Sequence, residues 1–237
     1  MKLIVVLVCF AATVYATPVP QDSQNMNSTI SANSTGVIEN LPDGFVPAYC
    51  HKRYTDIITD TTAWGVKSLV QAPIKCLENE ALSQFKLLTD LPKSTFRYEY
   101  TCCAVESHSG KVGLSELLNR TTSFDIEGVD SDMRMLERHD VNCGPVSGYK
   151  DGHMYAITGF GVEARDGMIR YAYQCGGMYK PLECTNKETE MGDESTDIQF
   201  LDRHNVECPK KSFIGRFQYV KANNTESKFK IGYTCCV

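Results

Sequence analysis

Two short runs carry the residue types that catalysis uses. Glu137-Arg138-His139 and Asp202-Arg203-His204 each set a carboxylate two residues from an imidazole, the usual make-up of a general base. On a strand alternate residues share a face, so acid and histidine would point together and the arginine away. Three readings follow: a structural ion-pair cluster, a repeated ligand or metal site, or catalysis. Duplication favours the first. An enzyme needs one complete site, whereas a scaffold position recurs wherever the backbone recurs, and the matching run Val70-Gln71-Ala72 carries none of these groups.

Other reactive arrangements are weaker. Gly144-Pro145-Val146-Ser147-Gly148 lacks the register of a nucleophile elbow, and Ser107-His108-Ser109 reads as an exposed loop. The expectation is a protein without catalysis. Asp125 to Asp132 and Glu190 to Asp197 are acidic loops at matching places in two units. Oxygen-rich loops of this kind can hold Ca²⁺, although neither has EF-hand spacing and solvated surface is the simpler reading. No other cofactor is expected.

Eleven cysteines leave ten once Cys9 is set aside, and no C-x-x-C occurs. An even set in an oxidising compartment reads as disulfides rather than zinc ligands. Cys50, Cys76 and the pair Cys102-Cys103 match Cys184, Cys208 and the pair Cys235-Cys236, with Cys143 and Cys175 between. The pairing that respects this symmetry joins Cys76 to Cys102, Cys143 to Cys175, Cys208 to Cys235, Cys50 to Cys103 and Cys184 to Cys236. Symmetry is its only warrant, and adjacent cysteines could exchange roles.

The cysteines lie in a longer repeat. Leu136 to Cys143 and Leu201 to Cys208 agree nearly position by position, and Leu69 to Cys76 keeps the outline. Each run leads to an alternating apolar stretch around Phe85, Phe160 or Phe217, then a turn, then a stretch ending at Cys102, Cys175 or Cys235. Alternation with period two predicts strands, and Thr89 to Ser94, Arg165-Asp166-Gly167 and Ala222 to Ser227 predict the turns of three hairpins. Each hairpin is expected to be stapled by its own disulfide, worth about 3 kcal/mol. Only Gly113 to Asn119 looks helical. The class is all-β, with three pseudo-equivalent antiparallel hairpin repeats at about 45–103, 120–176 and 184–237.

Residues 1–16 read as a signal peptide: Lys2, an apolar run from Leu3 to Ala12, and small residues at the two positions of Val14-Tyr15-Ala16 that a signal peptidase reads, with cleavage expected after Ala16. That run is too short to span a bilayer. Residues 17–40, rich in Ser, Thr, Asn and Pro, read as a disordered glycosylated leader, and 41–237 as one domain. Without Lys2 the chain has 23 basic and 29 acidic residues, a net charge of −6. That balance argues against nucleic acid as the partner, and no membrane insertion is expected. Asn27, Asn33, Asn119 and Asn223 open N-x-S/T sequons and should be exposed. The middle unit has an insertion, Gly148 to Tyr155, whose Tyr149, Lys150, Asp151, His153 and Tyr155 are candidate ligand contacts.

In this chain's residues the unit reads Cys143, an insertion, Ile157-x-Gly159-Phe160-x-Val162, a turn, and Arg170-Tyr171-x-Tyr173-x-Cys175. It resembles the triple repeats of two secreted families: the vitelline membrane outer layer proteins, a three-fold β-prism, and dermatopontin, a matrix protein with five disulfides and an adjacent cysteine pair. Dermatopontin's Asp-Arg-x-Trp signature is absent. Cysteine-rich matrix and shell proteins of aquatic invertebrates are similar more loosely. The resemblance, over most of 45–237, implies a β-prism-like fold and a secreted, non-catalytic glycoprotein of a matrix, coat or shell, with extracellular polysaccharide or matrix protein as partner. A lectin-like or defence module is the alternative.

Overall fold

The computed structural model describes residues 46–60, 64–106, 113–124, 133–144, 155–177, 183–193, 197–221 and 228–237. The expected signal peptide and leader lie outside them. Within 41–237 the chain is all-β, built on three antiparallel sheets. Numbering strands in chain order, the first sheet runs β1 (Val46–Tyr54), β5 (Thr95–Glu106), β4 (Glu80–Asp90), β12 (Asn205–Glu207), with β2 (Ile58–Thr59) beside β5. The second runs β6 (Leu117–Thr121), β9 (Met168–Gly177), β8 (Tyr155–Arg165), β3 (Ile74–Lys75). The third runs β10 (Cys184–Glu188), β14 (Lys228–Cys236), β13 (Phe213–Lys221), β7 (Asp140–Asn142), with β11 (Gly192–Asp193) beside β14.

A long hairpin forms the centre of each sheet, at the places the alternating sequence indicates, and the expected turn at 222–227 of the third lies outside the described residues. In the β8–β9 turn Asp166 and Gly167 both take positive φ, 49° and 78°, which an Asp-Gly pair adopts readily and which matches the twist of the strands it joins. Inward residues of the three hairpins meet in the core. Phe85, Phe160 and Phe217 form a ring trio with centroids 4.8–5.0 Å apart. Tyr98, Tyr171 and Tyr219 pack around it, and burial holds all three hydroxyls above the usual phenol range, Tyr219 at about 12.

The outer strand of each sheet comes from a different part of the chain. β3 belongs in sequence with the first hairpin but pairs with β8; β7 pairs with β13, and β12 with β4. A bulge in each receiving strand makes the join. Ser83, Thr158 and Gly215 are the extra residues at the register shifts, and their carbonyls accept the N–H of Cys208, Cys76 and Cys143 at 3.0, 2.8 and 2.9 Å. A bulge frees a backbone group from its own ladder, and here that group captures the cysteine arriving from the next segment.

The five disulfides are Cys76–Cys102, Cys143–Cys175, Cys208–Cys235, Cys50–Cys103 and Cys184–Cys236, the pairs the symmetry of spacing suggests. Their action differs from the expected hairpin staple. Cys76 follows β3 in the second sheet while Cys102 is in β5 of the first, so this bridge and its two counterparts tie sheet to sheet. Cys50–Cys103 and Cys184–Cys236 instead join directly paired residues within a sheet, with Cα atoms 3.9 and 4.1 Å apart against 5.5–5.6 Å in the others.

Two expectations need correction. The Gly113 to Asn119 stretch is not helical: Leu117–Thr121 is strand β6, paired along β9 with alternating exposure. The acid-Arg-His runs are not strands either. They close short 3-10 turns, Met133–Arg138 and Ile198–Arg203, with Val66–Gln71 in the matching place. Among the described residues no helix is long and apolar enough to cross a membrane.

Candidate functional site

His139 and His204 are each 2% exposed, because each follows its 3-10 turn directly and is carried under the sheet beside it. Nδ1 of His139 lies 2.9 Å from Oγ1 of Thr122, and Nδ1 of His204 lies 2.7 Å from Oγ1 of Thr189. Each threonine oxygen also accepts a backbone N–H, from Tyr171 or Ile231, both at 3.0 Å. The threonine hydroxyl and Nδ1 of each ring thus share one hydrogen bond, donated by whichever of the two carries the hydrogen. Thr55 takes the N–H of Tyr98 at 3.0 Å in the first sheet, where Ala72 stands in place of a histidine.

These groups are built as struts. Burial, helped by the neighbouring Arg203 charge, holds the His204 pKa down at about 4 against the opposing pull of Asp202. Asp202 does not turn toward the imidazole as a strand would aim it. Asp202 accepts the Thr89 hydroxyl at 2.7 Å, and Arg203 pairs with Asp193 at 2.9 Å and lies over Phe200. On the other run, the Glu137 carbonyl accepts from Gln218. A shielded imidazole with Nδ1 engaged is poorly placed to meet a substrate proton. Sequence reading missed the threonines, although Thr55, Thr122 and Thr189 recur 67 residues apart.

The metal readings fare differently. Cys76, Glu80 and Cys102 bring ligand atoms within 4.8 Å of one another, but the two sulfurs are bonded together. Glu80 is held by both guanidinium nitrogens of Arg53 and by the Leu77 N–H at 3.0 Å. Burial would raise its pKa, and these donors pull it below the usual carboxylate range. Of the acidic loops, residues 125–132 and 194–196 lie outside the described residues. Asp193 is engaged by Arg203, and Asp197 accepts from Gln199 at 3.1 Å.

The candidate contacts in the insertion separate. Tyr149, Lys150, Asp151 and His153 lie outside the described residues. Tyr155 is not a surface contact: it opens β8, is 3% exposed and donates its hydroxyl to Glu116 at 2.5 Å. Its alternation with Ile157 sends the ring inward. Of the sequons, Asn27, Asn33 and Asn223 lie outside the described residues, while Asn119 is on β6 with an exposed side chain.

A hollow of about 580 Å³ lies on the outer face of the second sheet. Its floor is Gly159 and Gly161 of β8 and Ala172 of β9, with Gln174, Asn119 and Lys75 around it. The same places in the first sheet hold Gln84, Lys86 and Glu99, and in the third Arg216, Gln218 and Gly232, judged by register from the bulge. Loss of long side chains makes the trough, and the third sheet keeps a hollow of only about 200 Å³. No protein-family model, no curated protein and no solved structure matches the chain.

Proposed function

We propose that the protein is a secreted, non-catalytic glycoprotein that serves as a structural or binding component of an extracellular matrix, coat or shell, with extracellular polysaccharide or matrix protein as its partner. The observation that carries this reading is the use of both candidate catalytic histidines as buried struts on Thr122 and Thr189. Residue types suited to chemistry are spent on holding sheets in place. Five disulfides support the same reading: three tie sheet to sheet, as suits a molecule that must keep its shape outside a cell. Fractionation of the secreting tissue tests it. Recovery in the insoluble extracellular fraction is expected, and an enzymatic turnover abolished by His204→Asn in a folded protein would overturn it.

The trough favours a second reading, a lectin-like module. Its volume falls in the range of small-ligand sites, about 300–1,000 Å³, and polar groups surround an apolar floor. Saturable binding of free oligosaccharides by the folded protein is its signature.

A further inference from the structure

The register of the second sheet places a glycosylation sequon on the lip of its trough. Asn119 pairs with Gln174, Gln174 with Gly159, and Gly159 with Lys75. Directly paired residues of neighbouring strands project to the same side of a sheet. Asn119 and Thr121, the first and last residues of Asn119-Arg120-Thr121, therefore share the outer face with the glycine floor, and both are exposed. The Asn119 amide is already oriented. Its Oδ1 accepts from Nε2 of Gln174 at 3.0 Å, while Nδ2, the atom that carries an N-linked sugar, makes no bond among the described residues.

The third sheet provides a comparison. Asn186 occupies the place of Asn119, with Oδ1 accepting from Thr234 at 3.0 Å, but Asn186-Lys187-Glu188 is not a sequon, and Arg216 stands where the second sheet has Gly159. In the first sheet Lys52 holds that place, and Gln84 stands opposite. The hollow is the larger, about 580 Å³ against about 200 Å³, in the sheet whose outer strand carries a sequon. Close approach of β3 is a further reason for the glycines, since a Cβ on Gly159 would lie 2.7 Å from the Ile74 carbonyl oxygen. That contact does not account for Ala172, which lies on the far side of β8 from β3.

We propose that the trough is the bed of the chain's own N-glycan, attached at Asn119 and lying across β9 and β8 toward β3. Attachment occurs on the unfolded chain. The Asn119 Nδ2 forms a bond to C1 of a lipid-pyrophosphate-linked oligosaccharide, the C1–O bond to pyrophosphate breaks, and Nδ2 gives up one proton. On folding, the first sugar rings meet a floor of Gly159, Gly161 and Ala172, flat enough for the C–H face of a pyranose. Gln174, Lys75 and Glu163 face their hydroxyl and acetamido groups. Three inter-strand gaps give a path of about 14 Å from Asn119 to β3. This assignment favours the matrix reading over the lectin reading, because the sugar-compatible surface is already occupied.

The test uses the full chain secreted from glycosylating eukaryotic cells. Glycopeptide mass spectrometry is expected to find Asn119 occupied, and peptide N-glycosidase to release its glycan slowly from the native protein. Ala172→Glu, which fills the floor and leaves the residues of the sequon unchanged, should speed that release at least tenfold. A second measurement stands if that variant misfolds: enzymatic removal of the glycan after unfolding, followed by refolding, should raise hydrogen exchange at residues 159–161 and 172–174. An unoccupied Asn119, a release rate equal in wild type and a folded Ala172→Glu, or unchanged exchange would overturn the proposal. Saturable binding of added chitin oligosaccharide by protein whose Asn119 is unoccupied would overturn it in favour of the lectin reading.

Discussion

The hydroxyl of Tyr100 donates to the carbonyl of Lys75 at 3.3 Å. Lys75 precedes Cys76, whose disulfide returns to Cys102, two residues beyond Tyr100. Tyrosine and disulfide thus grip one strand end from neighbouring positions of β5. Tyr173 with the Asn142 carbonyl and Tyr233 with that of Glu207 repeat the grip, at 3.3 and 3.1 Å. Phenylalanine keeps the ring and loses the bond, so Tyr100→Phe, Tyr173→Phe and Tyr233→Phe should each cost about 1 kcal/mol in denaturant titration. A cost near zero at all three would mean that the disulfides alone hold the strand ends.

Thr189 serves two partners, the Ile231 N–H and His204, whereas Thr55 accepts the Tyr98 N–H and has no histidine beside it. Valine preserves shape and removes both functions. We expect Thr189→Val to destabilise the fold by about 2 kcal/mol more than Thr55→Val, since it strands a buried imidazole as well as an amide. Equal costs, measured by chemical unfolding, would show that the imidazole bond contributes nothing.

Acid should act through His204. Its folded pKa of about 4 lies below the ordinary value of 6.5, so the folded state resists protonation that the unfolded chain accepts. Above pH 6.5 neither state is charged and there is no penalty; from pH 6.5 down to about 4 the unfolded state gains protons and stability falls. His204→Asn keeps an acceptor for the Thr189 hydroxyl and removes the titration. Its thermal midpoint should decline less than that of the wild type between pH 6.5 and 4, and parallel curves would refute the assignment.

Replacing both Cys143 and Cys175 with alanine should lower stability by about 3–4 kcal/mol, as for a closed loop of this length. The location of the damage is the sharper outcome. Because the bridge ties the end of β7 to β9 in another sheet, hydrogen exchange should rise in β7 and the 3-10 turn before it, leaving the β8–β9 turn protected. Faster exchange at that turn would restore the picture of a stapled hairpin.

Hairpins, turns and cysteine pairs were legible because their signals are local or symmetric: alternation around Phe160, Asp166-Gly167 at a tight turn, adjacent cysteines recurring at the chain end. Pairing between segments was not. Asn205-Val206-Glu207 contains nothing that names β4 as its partner, since three residues have no periodicity to read and their ladder forms about 120 residues from Phe85. The histidines were misread for a related reason. Their neighbours resemble a strand by type, yet Met133–Arg138 and Ile198–Arg203 turn as 3-10 helices, and that turn sends the imidazoles to the threonines. Gly113 to Asn119 looks helical because its short run of leucines fits either period, and pairing of Leu117–Thr121 with β9 makes it a strand.

The exchange of outer strands sets a timetable for synthesis. β4 is made early, but β12, which covers its free edge, is among the last strands to emerge. At roughly 5–20 residues per second, the hundred or so residues between them take about 5–20 s to appear. Through that interval the first hairpin presents an open row of backbone donors and acceptors, the kind of edge that recruits other strands. Slowed translation beyond residue 106 should therefore raise aggregation, because it lengthens the time before the C-terminal third is made, even though β12 covers that edge in the finished molecule.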